Sequence, residues 1–376
     1  NLYPEQSKFK YPKAGEKNSI VKIFIFDTEK NEHTQANLQT SKDDYIPRIN
    51  WTKDSKLCVQ KLNRHQNHLQ LIFVNPKSGK SSLIYEEFDD YYIDIHDNLI
   101  FTDNGFLWSS EKDGYNHLYF YNYQKSKMKK ITKGDWEVTN FYGYDDEKNI
   151  LYYQSNENSS LTKSIYSIDI KGKNKKLLSK PNGINDADFS KTFKYFINTY
   201  SNANNPNYIT LQNNQGKLIR VLKDSKKLLD ILNEYNLSTK EFFSFKTEYN
   251  VMLNGWMMRP QNFDKNKKYP VLMYVYGGPG NQQVVDSWSS HYMWYQLLCQ
   301  NDFIIVCIDN RGTGGRGAEF KKCTYQELGK LETEDQISGA KYLSSLEYVD
   351  KSRIGIWGWS YGGYMSSLCL LKGNEY

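Results

Sequence analysis

A repeat of paired β-strand units, a later series of wholly apolar strands spaced by a helix, and a Gly-x-Ser-x-Gly turn between strand and helix predict the fold. It is a partial β-propeller of four-stranded blades, followed by a truncated α/β-hydrolase domain with a mostly parallel sheet. The 376 residues suit two domains. The boundaries read from the sequence are a propeller region over 1–221, a linker helix within 222–240 and a hydrolase domain over 241–376.

The repeat comes first. One unit, a polar turn, an apolar strand and a second polar turn, recurs at Asn18–Asp27, Asn67–Asn75, Asn116–Asn122 and Lys163–Asp169, and more weakly at Asn207–Leu211. A second unit, strand–turn–strand, lies between these at Ile49–Val59, Tyr92–Phe101, Phe141–Tyr153 and Ala187–Tyr200. The spacing of roughly 43 to 50 residues is the period of a four-stranded blade. Such a blade must stack on its neighbours to bury both faces. Four to five blades are readable. The 31 tyrosines fit this β-rich reading, because Tyr favours half-buried strands.

The character changes after Leu222–Leu237, where Leu228, Leu229, Ile231 and Leu232 among Lys, Asp and Glu predict a short amphipathic helix. Glu241–Lys246 and Gly255–Arg259 read as paired strands. Pro270–Val275, Phe303–Ile308 and Arg353–Trp357 are near-continuous apolar runs, as expected of strands buried on both faces of a parallel sheet. Glu334–Leu346 predicts a helix, acidic at its start, with Ile337, Ala340 and Leu343 on one face.

The net charge of +6 is spread among Asp, Glu and Asn, and the Lys171–Lys176 cluster sits in a turn. This is a solvated surface and not a nucleic-acid patch. The five cysteines show no CxxC pair and no metal-like spacing with His, and Cys307 and Cys369 read as core residues. No stretch has the apolar length of a membrane span. The first residue is Asn and no signal peptide precedes it, so the start is expected to be processed, trimmed or missing.

Three motifs carry chemistry. Gly358-Trp359-Ser360-Tyr361-Gly362-Gly363 follows the strand ending at Trp357 and precedes a helix-like Tyr364–Leu370, the setting of a nucleophile elbow with Ser360 as nucleophile. Gly358 and Gly362 are required because any side chain there would strike the neighbouring strand or helix. Tyr276-Gly277-Gly278-Pro279-Gly280 follows the strand Val271–Val275, where this fold places one arm of an oxyanion hole. The Tyr276 hydroxyl and the Tyr361 N–H are the candidate donors. Asp309–Gly317 is Gly-rich but lacks a phosphate-loop order. It reads as a structural loop beside the elbow, with Asp309 and Arg311 in an internal ion pair.

In this fold the triad runs Ser, then Asp or Glu, then His. Sixteen residues follow Ser360, with no His, no Asp and one Glu, Glu375; all six histidines precede it. The triad Asp and His are therefore not in this sequence. Without a base Ser360 is a weak nucleophile, so the chain by itself is expected to be inactive, its sheet lacking covering strands.

At these motifs the chain resembles the prolyl oligopeptidase family of serine peptidases, and within it the dipeptidyl-peptidase IV-like branch, as a fragment missing both ends. Gly-Trp-Ser-Tyr-Gly-Gly and the Tyr276 loop are similar to that branch. So are Tyr11–Gly15, Asp113-Gly114-Tyr115-Asn116-His117 and Thr132-Lys133-Gly134-Asp135-Trp136-Glu137-Val138. The resemblance implies an eight-bladed propeller over a hydrolase domain. It implies release of N-terminal dipeptides, Xaa-Pro or Xaa-Ala, through an acyl-enzyme on Ser360, with peptides as substrates. It implies the Tyr276 hydroxyl and Tyr361 N–H as oxyanion donors, the Tyr361 ring as a wall of the proline pocket, and no metal or organic cofactor. A homodimer and a secreted, periplasmic or membrane-anchored location are implied by the same likeness. The family's substrate-amine Glu pair is not in this sequence: Glu86-Glu87 follows the Tyr11–Gly15 stretch where the family's pair precedes it, and reads as solvated turn residues.

Two other readings stay open. One is an acylaminoacyl peptidase or esterase of the same fold, which would lack the Glu pair. The other is a non-catalytic propeller binding protein, which would continue its sheet beyond Tyr376 without the Asp or His.

Overall fold

The computed structural model describes residues 2–11 and 13–376, so Pro12 of the Tyr11–Gly15 stretch lies outside the described residues. Backbone contacts divide the chain into two compact units, one ending at Ile95 and the other running from His96 to Tyr376.

In the first unit, β1 (Phe24–Asp27) and β2 (Glu32–Gln35) form an antiparallel pair. Strands β3 (Asp44–Trp51), β4 (Leu57–Asn63), β5 (His68–Val74) and β6 (Ser81–Phe88) form a four-stranded sheet in chain order. Alternate residues Leu57 and Val59 of β4 and Ile72 and Val74 of β5 bury one face with Ala36 and Leu38. Glu86 and Glu87 lie in β6 and are not turn residues. The Glu86 carboxylate is 3.0 Å from the His68 ring, and Glu87 is buried and accepts a hydrogen bond from the Tyr85 hydroxyl at 2.8 Å.

The second unit opens with three more blades. They are β7 (Ile100–Thr102), β8 (Gly105–Ser110), β9 (His117–Asn122) and β10 (Lys127–Lys130); β11 (Val138–Asp145), β12 (Ile150–Ser155), β13 (Ser164–Asp169) and β14 (Lys176–Leu177); and β15 (Ile184–Phe189), β16 (Tyr195–Asn202), β17 (Asn205–Asn213) and β18 (Leu218–Lys223). Every pair within them is antiparallel. Tyr152 and Tyr153, adjacent in β12, point to opposite faces. Tyr153 packs with Leu107, Leu118 and Ile131 of the preceding blade and Tyr152 with Phe196 of the following one. This is blade stacking through the two-residue period of a strand. The expected hairpin at Tyr92–Phe101 does not form as read. Residues 92–95 are not a strand, and β7 pairs forward with β8 instead. The segment carries Asp94 and Asp97, a residue type depleted in strands.

Helix α1 (Lys226–Asn233) lies in the expected linker but is shorter than predicted and buries no residue. Beyond it come β19 (Lys240–Lys246), β20 (Met252–Met258), β21 (Tyr269–Tyr274), α2 (Tyr292–Gln300), β22 (Ile304–Asp309), α3 (Ala318–Lys322), α4 (Leu331–Ser344), β23 (Val349–Trp357) and α5 (Tyr361–Lys372). The sheet order is β19-β20-β22-β21-β23, with β21 parallel to both β22 and β23 and β20 antiparallel to β22. In β22, Ile304, Val306 and Ile308 face Ala340 and Leu343 of α4 and Met365 and Cys369 of α5. Ile305 and Cys307 face Tyr292, Tyr295 and Cys299 of α2. Helices therefore cover both faces, which explains the unbroken apolar runs. No helix among the described residues is long and apolar enough to cross a membrane.

Within this unit the blades are pinned to the hydrolase part by polar contacts. Glu137 accepts from the Gly317 N–H at 2.9 Å, and Asn156 donates to the Gly315 carbonyl at 2.9 Å. Asp286 accepts from the N–H groups of Gly183 at 3.1 Å and Ala203 at 2.8 Å. Glu111 pairs with Lys321 and Lys322.

Candidate active site

The site is built where β21 and β23, parallel neighbours, end side by side. Leaving β23, the chain turns within Gly358–Ser360 and starts α5 at Tyr361. Ser360 has φ 57° and ψ −118°, a backbone state that costs an L-residue about 1–3 kcal/mol and persists only where its surroundings enforce it. The two glycines are what the surroundings demand. A Cβ on Gly358 would lie 2.2 Å from the Val275 carbonyl oxygen, and one on Gly362 would lie 2.1 Å from the same oxygen. The elbow thus packs backbone to backbone against the end of β21. The Gly363 and Tyr364 N–H groups both bond the Ser360 carbonyl, at 3.0 and 3.2 Å, closing the first helical turn. Ser360 itself is exposed. Tyr361, as the first helical residue, has an N–H without an intrahelical acceptor.

The Tyr276 loop meets this elbow. Gly278 is wedged between the two tyrosines: a Cβ there would be 2.7 Å from the Tyr276 ring and 3.3 Å from the Tyr361 ring. The ring centroids are 6.2 Å apart. Gly277 turns with φ 71°, and a Cβ on it would strike the Asn310 side-chain oxygen at 2.6 Å. Among the described residues, the Tyr276 hydroxyl has no hydrogen-bond partner, and no histidine bonds the Ser360 hydroxyl. The five residues singled out in the sequence, Tyr276, Gly358, Ser360, Tyr361 and Gly362, are therefore brought together.

The Tyr361 hydroxyl donates to the Glu332 carboxylate at 2.7 Å. Burial, and then this hydrogen bond to an acid, hold the phenol in its neutral form and raise its pKa far above the usual range. Glu332 is wholly buried and also accepts from the Gly329 N–H at 2.9 Å.

Asp309 and Arg311 do not pair with each other. The Asp309 carboxylate turns back to accept from the Gln283 and Val284 N–H groups, the latter at 2.8 Å. Burial raises its pKa to about 6, against the opposing pull of those N–H groups. Arg311 instead grips Asp335 of α4, with Nη2 at 2.8 Å from a fully buried carboxylate, and reaches Glu334 at 3.3 Å. The loop does sit beside the site as expected: the Gly280 N–H bonds the Gly312 carbonyl at 2.8 Å.

Glu332, Gln336, Asn310 and Asp335 were not found from the sequence. Glu332, Asp335 and Gln336 are polar residues on a helix and read as a solvent face, Asn310 reads as a loop residue, and nothing local shows that these four point inward.

The chain is similar to known proteins along its length. A sequence model of the dipeptidyl peptidase IV N-terminal region matches residues 1–207, and one of the prolyl oligopeptidase family matches residues 288–376. The probable dipeptidyl peptidase 4 of Aspergillus flavus is 29% identical over 98% of this chain and 50% of its own length. That of Arthroderma benhamiae is 31% identical over 98% and 49% respectively. The crystal structure of Porphyromonas gingivalis dipeptidyl peptidase 4 superposes with a TM-score of 0.94 at 42% identity, covering 100% of this chain and 54% of that one. The chain spans about half the length of the curated relatives it matches.

Proposed function

The chain belongs to the prolyl oligopeptidase family, in its dipeptidyl peptidase IV-like branch, and we propose that it supplies the nucleophile and oxyanion side of a serine-type dipeptidyl peptidase. The Ser360 hydroxyl attacks the carbonyl carbon of the scissile bond, and its proton passes to a histidine base from residues outside this chain. The oxygen of the tetrahedral intermediate takes hydrogen bonds from the Tyr361 N–H and the Tyr276 hydroxyl. As the histidine returns that proton to the leaving nitrogen, collapse breaks the C–N bond, expels the new peptide amine and leaves an acyl-enzyme on Ser360, which water then hydrolyses. The fixed Tyr361 ring forms one wall of a pocket for Pro or Ala at the second residue of the released dipeptide.

The observation that carries this reading is the meeting of the Tyr276 loop and the strained Ser360 elbow across Gly278. Two candidate donors on segments that meet beside the serine suit acyl transfer. The relatives named above, all dipeptidyl peptidases by description, support the exopeptidase form.

The test is hydrolysis of Gly-Pro-p-nitroanilide by the full-length product of the gene, beside an N-blocked analogue and a Ser360→Ala variant. Cleavage of the free-amine substrate alone, abolished in the variant, is expected. Equal cleavage of the blocked substrate would move the protein to the acylaminoacyl peptidase or esterase reading. A folded protein that cleaves neither would be a binding protein.

A further inference from the structure

Helix α4 buries the wrong residues for an ordinary core helix. Its second half does what the sequence predicts, with Ala340 and Leu343 in the apolar core. Its first half buries Glu332, Asp335 and Gln336, all at 0% exposure. Polar groups are costly in such a place unless each finds a partner, so the partners are informative.

Those of Glu332 and of the Gln336 amide nitrogen lead to the candidate site, whereas Asp335 holds Arg311. Glu332 takes the Tyr361 hydroxyl at 2.7 Å and the Gly329 N–H at 2.9 Å. The Gln336 side-chain amide donates to the Ile308 carbonyl at 2.9 Å and to the Asn310 side-chain oxygen at 3.0 Å. Asn310 in turn donates to the Gly277 carbonyl at 3.1 Å, directly behind Tyr276. Glu332 and Gln336 are four residues apart and so share one helix face. One end of that face holds the residue after the nucleophile, and the other holds the loop that carries the second oxyanion donor.

Resting on the peptidase reading above, we propose that Glu332 and Gln336 are positioning residues that set the separation of the two oxyanion arms. Glu332 acts through the Tyr361 side chain, and Gln336 acts through Asn310 and Gly277. The strained Ser360 backbone makes this necessary, because relaxation of the elbow would swing the Ser360–Tyr361 peptide and its N–H away from the oxyanion. Tethering the far end of the Tyr361 ring opposes that swing. Neither residue touches the reacting atoms.

The experiment compares Glu332→Ala, Glu332→Gln, Tyr361→Phe and the Glu332→Ala/Tyr361→Phe double variant of the full-length product on Gly-Pro-p-nitroanilide. Misplacing a reacting group by an ångström costs on the order of 100-fold. Glu332→Ala should therefore lower kcat roughly 10- to 100-fold while KM stays within about threefold. Glu332→Gln, which keeps a polar link to the phenol, should recover most of the rate. Tyr361→Phe should resemble Glu332→Ala, and the double variant should be no slower than the slower single one, since both cut one link. Unchanged kcat in a folded Glu332→Ala variant, or losses that multiply in the double variant, would overturn the proposal. If Glu332→Ala does not fold, Tyr361→Phe with an unaltered kcat overturns it equally. Wild-type protein that spares the dipeptide substrate would sink the dipeptidyl reading alone. The rate of Ser360 labelling by a fluorophosphonate, whose P=O enters the same hole, then decides: about tenfold slower labelling in Glu332→Ala supports the tether, and equal labelling refutes it. A wild type that neither cleaves nor labels removes both ideas.

Discussion

The blades and the five-stranded sheet use strands in opposite ways. In β11-β12-β13-β14 spatial order is chain order, and each strand pairs with its neighbour in sequence. Turns are closed locally, as where the Asp169 carboxylate takes the N–H groups of Lys171 at 2.9 Å and Lys173 at 2.8 Å. In the five-stranded sheet β21 lies between β22 and β23, both later in the chain. Only such crossovers can bring Tyr276 beside Tyr361. The blades teach that local pairing makes a scaffold; the sheet teaches that a site needs contacts between distant segments.

The sharpest way to break the comparison is at the elbow. Gly358→Val places carbon within 2.2 Å of the Val275 carbonyl, with backbone on both sides. A loss of about 5 kcal/mol is expected, with hydrogen-exchange protection collapsing in β23 and α5 and surviving in the blades. Gly114→Ala, in a blade turn with φ 91° and nothing within 4 Å, should cost only about 1 kcal/mol. If the blades lose protection with Gly358→Val as well, they lean on the sheet more than their local pairing implies.

Next in size is the long-range ion pair. Arg311→Met leaves the buried Asp335 carboxylate without its cation, which should cost about 4 kcal/mol, read as a lowered unfolding midpoint. Removing the exposed partner of the Lys341–Glu248 pair should move the midpoint hardly at all, about 0.5 kcal/mol or less.

A blade has its own buried polar centre, and pH should find it. The His117 Nε2–H donates to the Gly134 carbonyl at 3.0 Å, and Nδ1 accepts from the Thr132 hydroxyl at 3.0 Å. Burial lowers its pKa to about 4, with the Gly134 carbonyl and Asp113 pulling upward and Lys130 downward. The folded pKa lies below the unfolded value of 6.5, so the unfolded chain binds the proton more readily. The stabilisation is complete above pH 6.5 and is lost as pH falls toward 4. The loss should amount to about 1–3 kcal/mol, and His117→Gln should flatten that slope. A slope unchanged in the variant would assign the acid sensitivity to other groups.

Much of this was legible beforehand. The elbow is a local motif, and Gly358, Ser360 and Gly362 declare it within five residues. The blades declare themselves by period. The misreadings share a cause. The Tyr92–Phe101 hairpin was inferred from spacing, where Asp94 and Asp97 do not suit a ladder. Asp309 and Arg311 read as an internal ion pair, yet the Asp309 carboxylate turns back to cap Gln283–Val284 and the Arg311 guanidinium reaches forward to α4. Glu86 and Glu87 read as solvated turn residues, yet Tyr85 and His68 give them partners within the sheet.

By itself, then, the order of residues indicated most of the strands and helices, the change from blade repeats to wholly apolar strands, and which serine is the nucleophile of the reading proposed here. Those follow from hydrophobic period and from backbone needs at single positions, both properties of short stretches. Tertiary structure alone decided the partners of the buried polar groups: Glu332 with Tyr361, Gln336 with Asn310, Asp335 with Arg311. A hydrogen bond is set by distances of about 3 Å between segments far apart in the chain. No pattern along the chain encodes such a distance until the sheet order has brought the segments together.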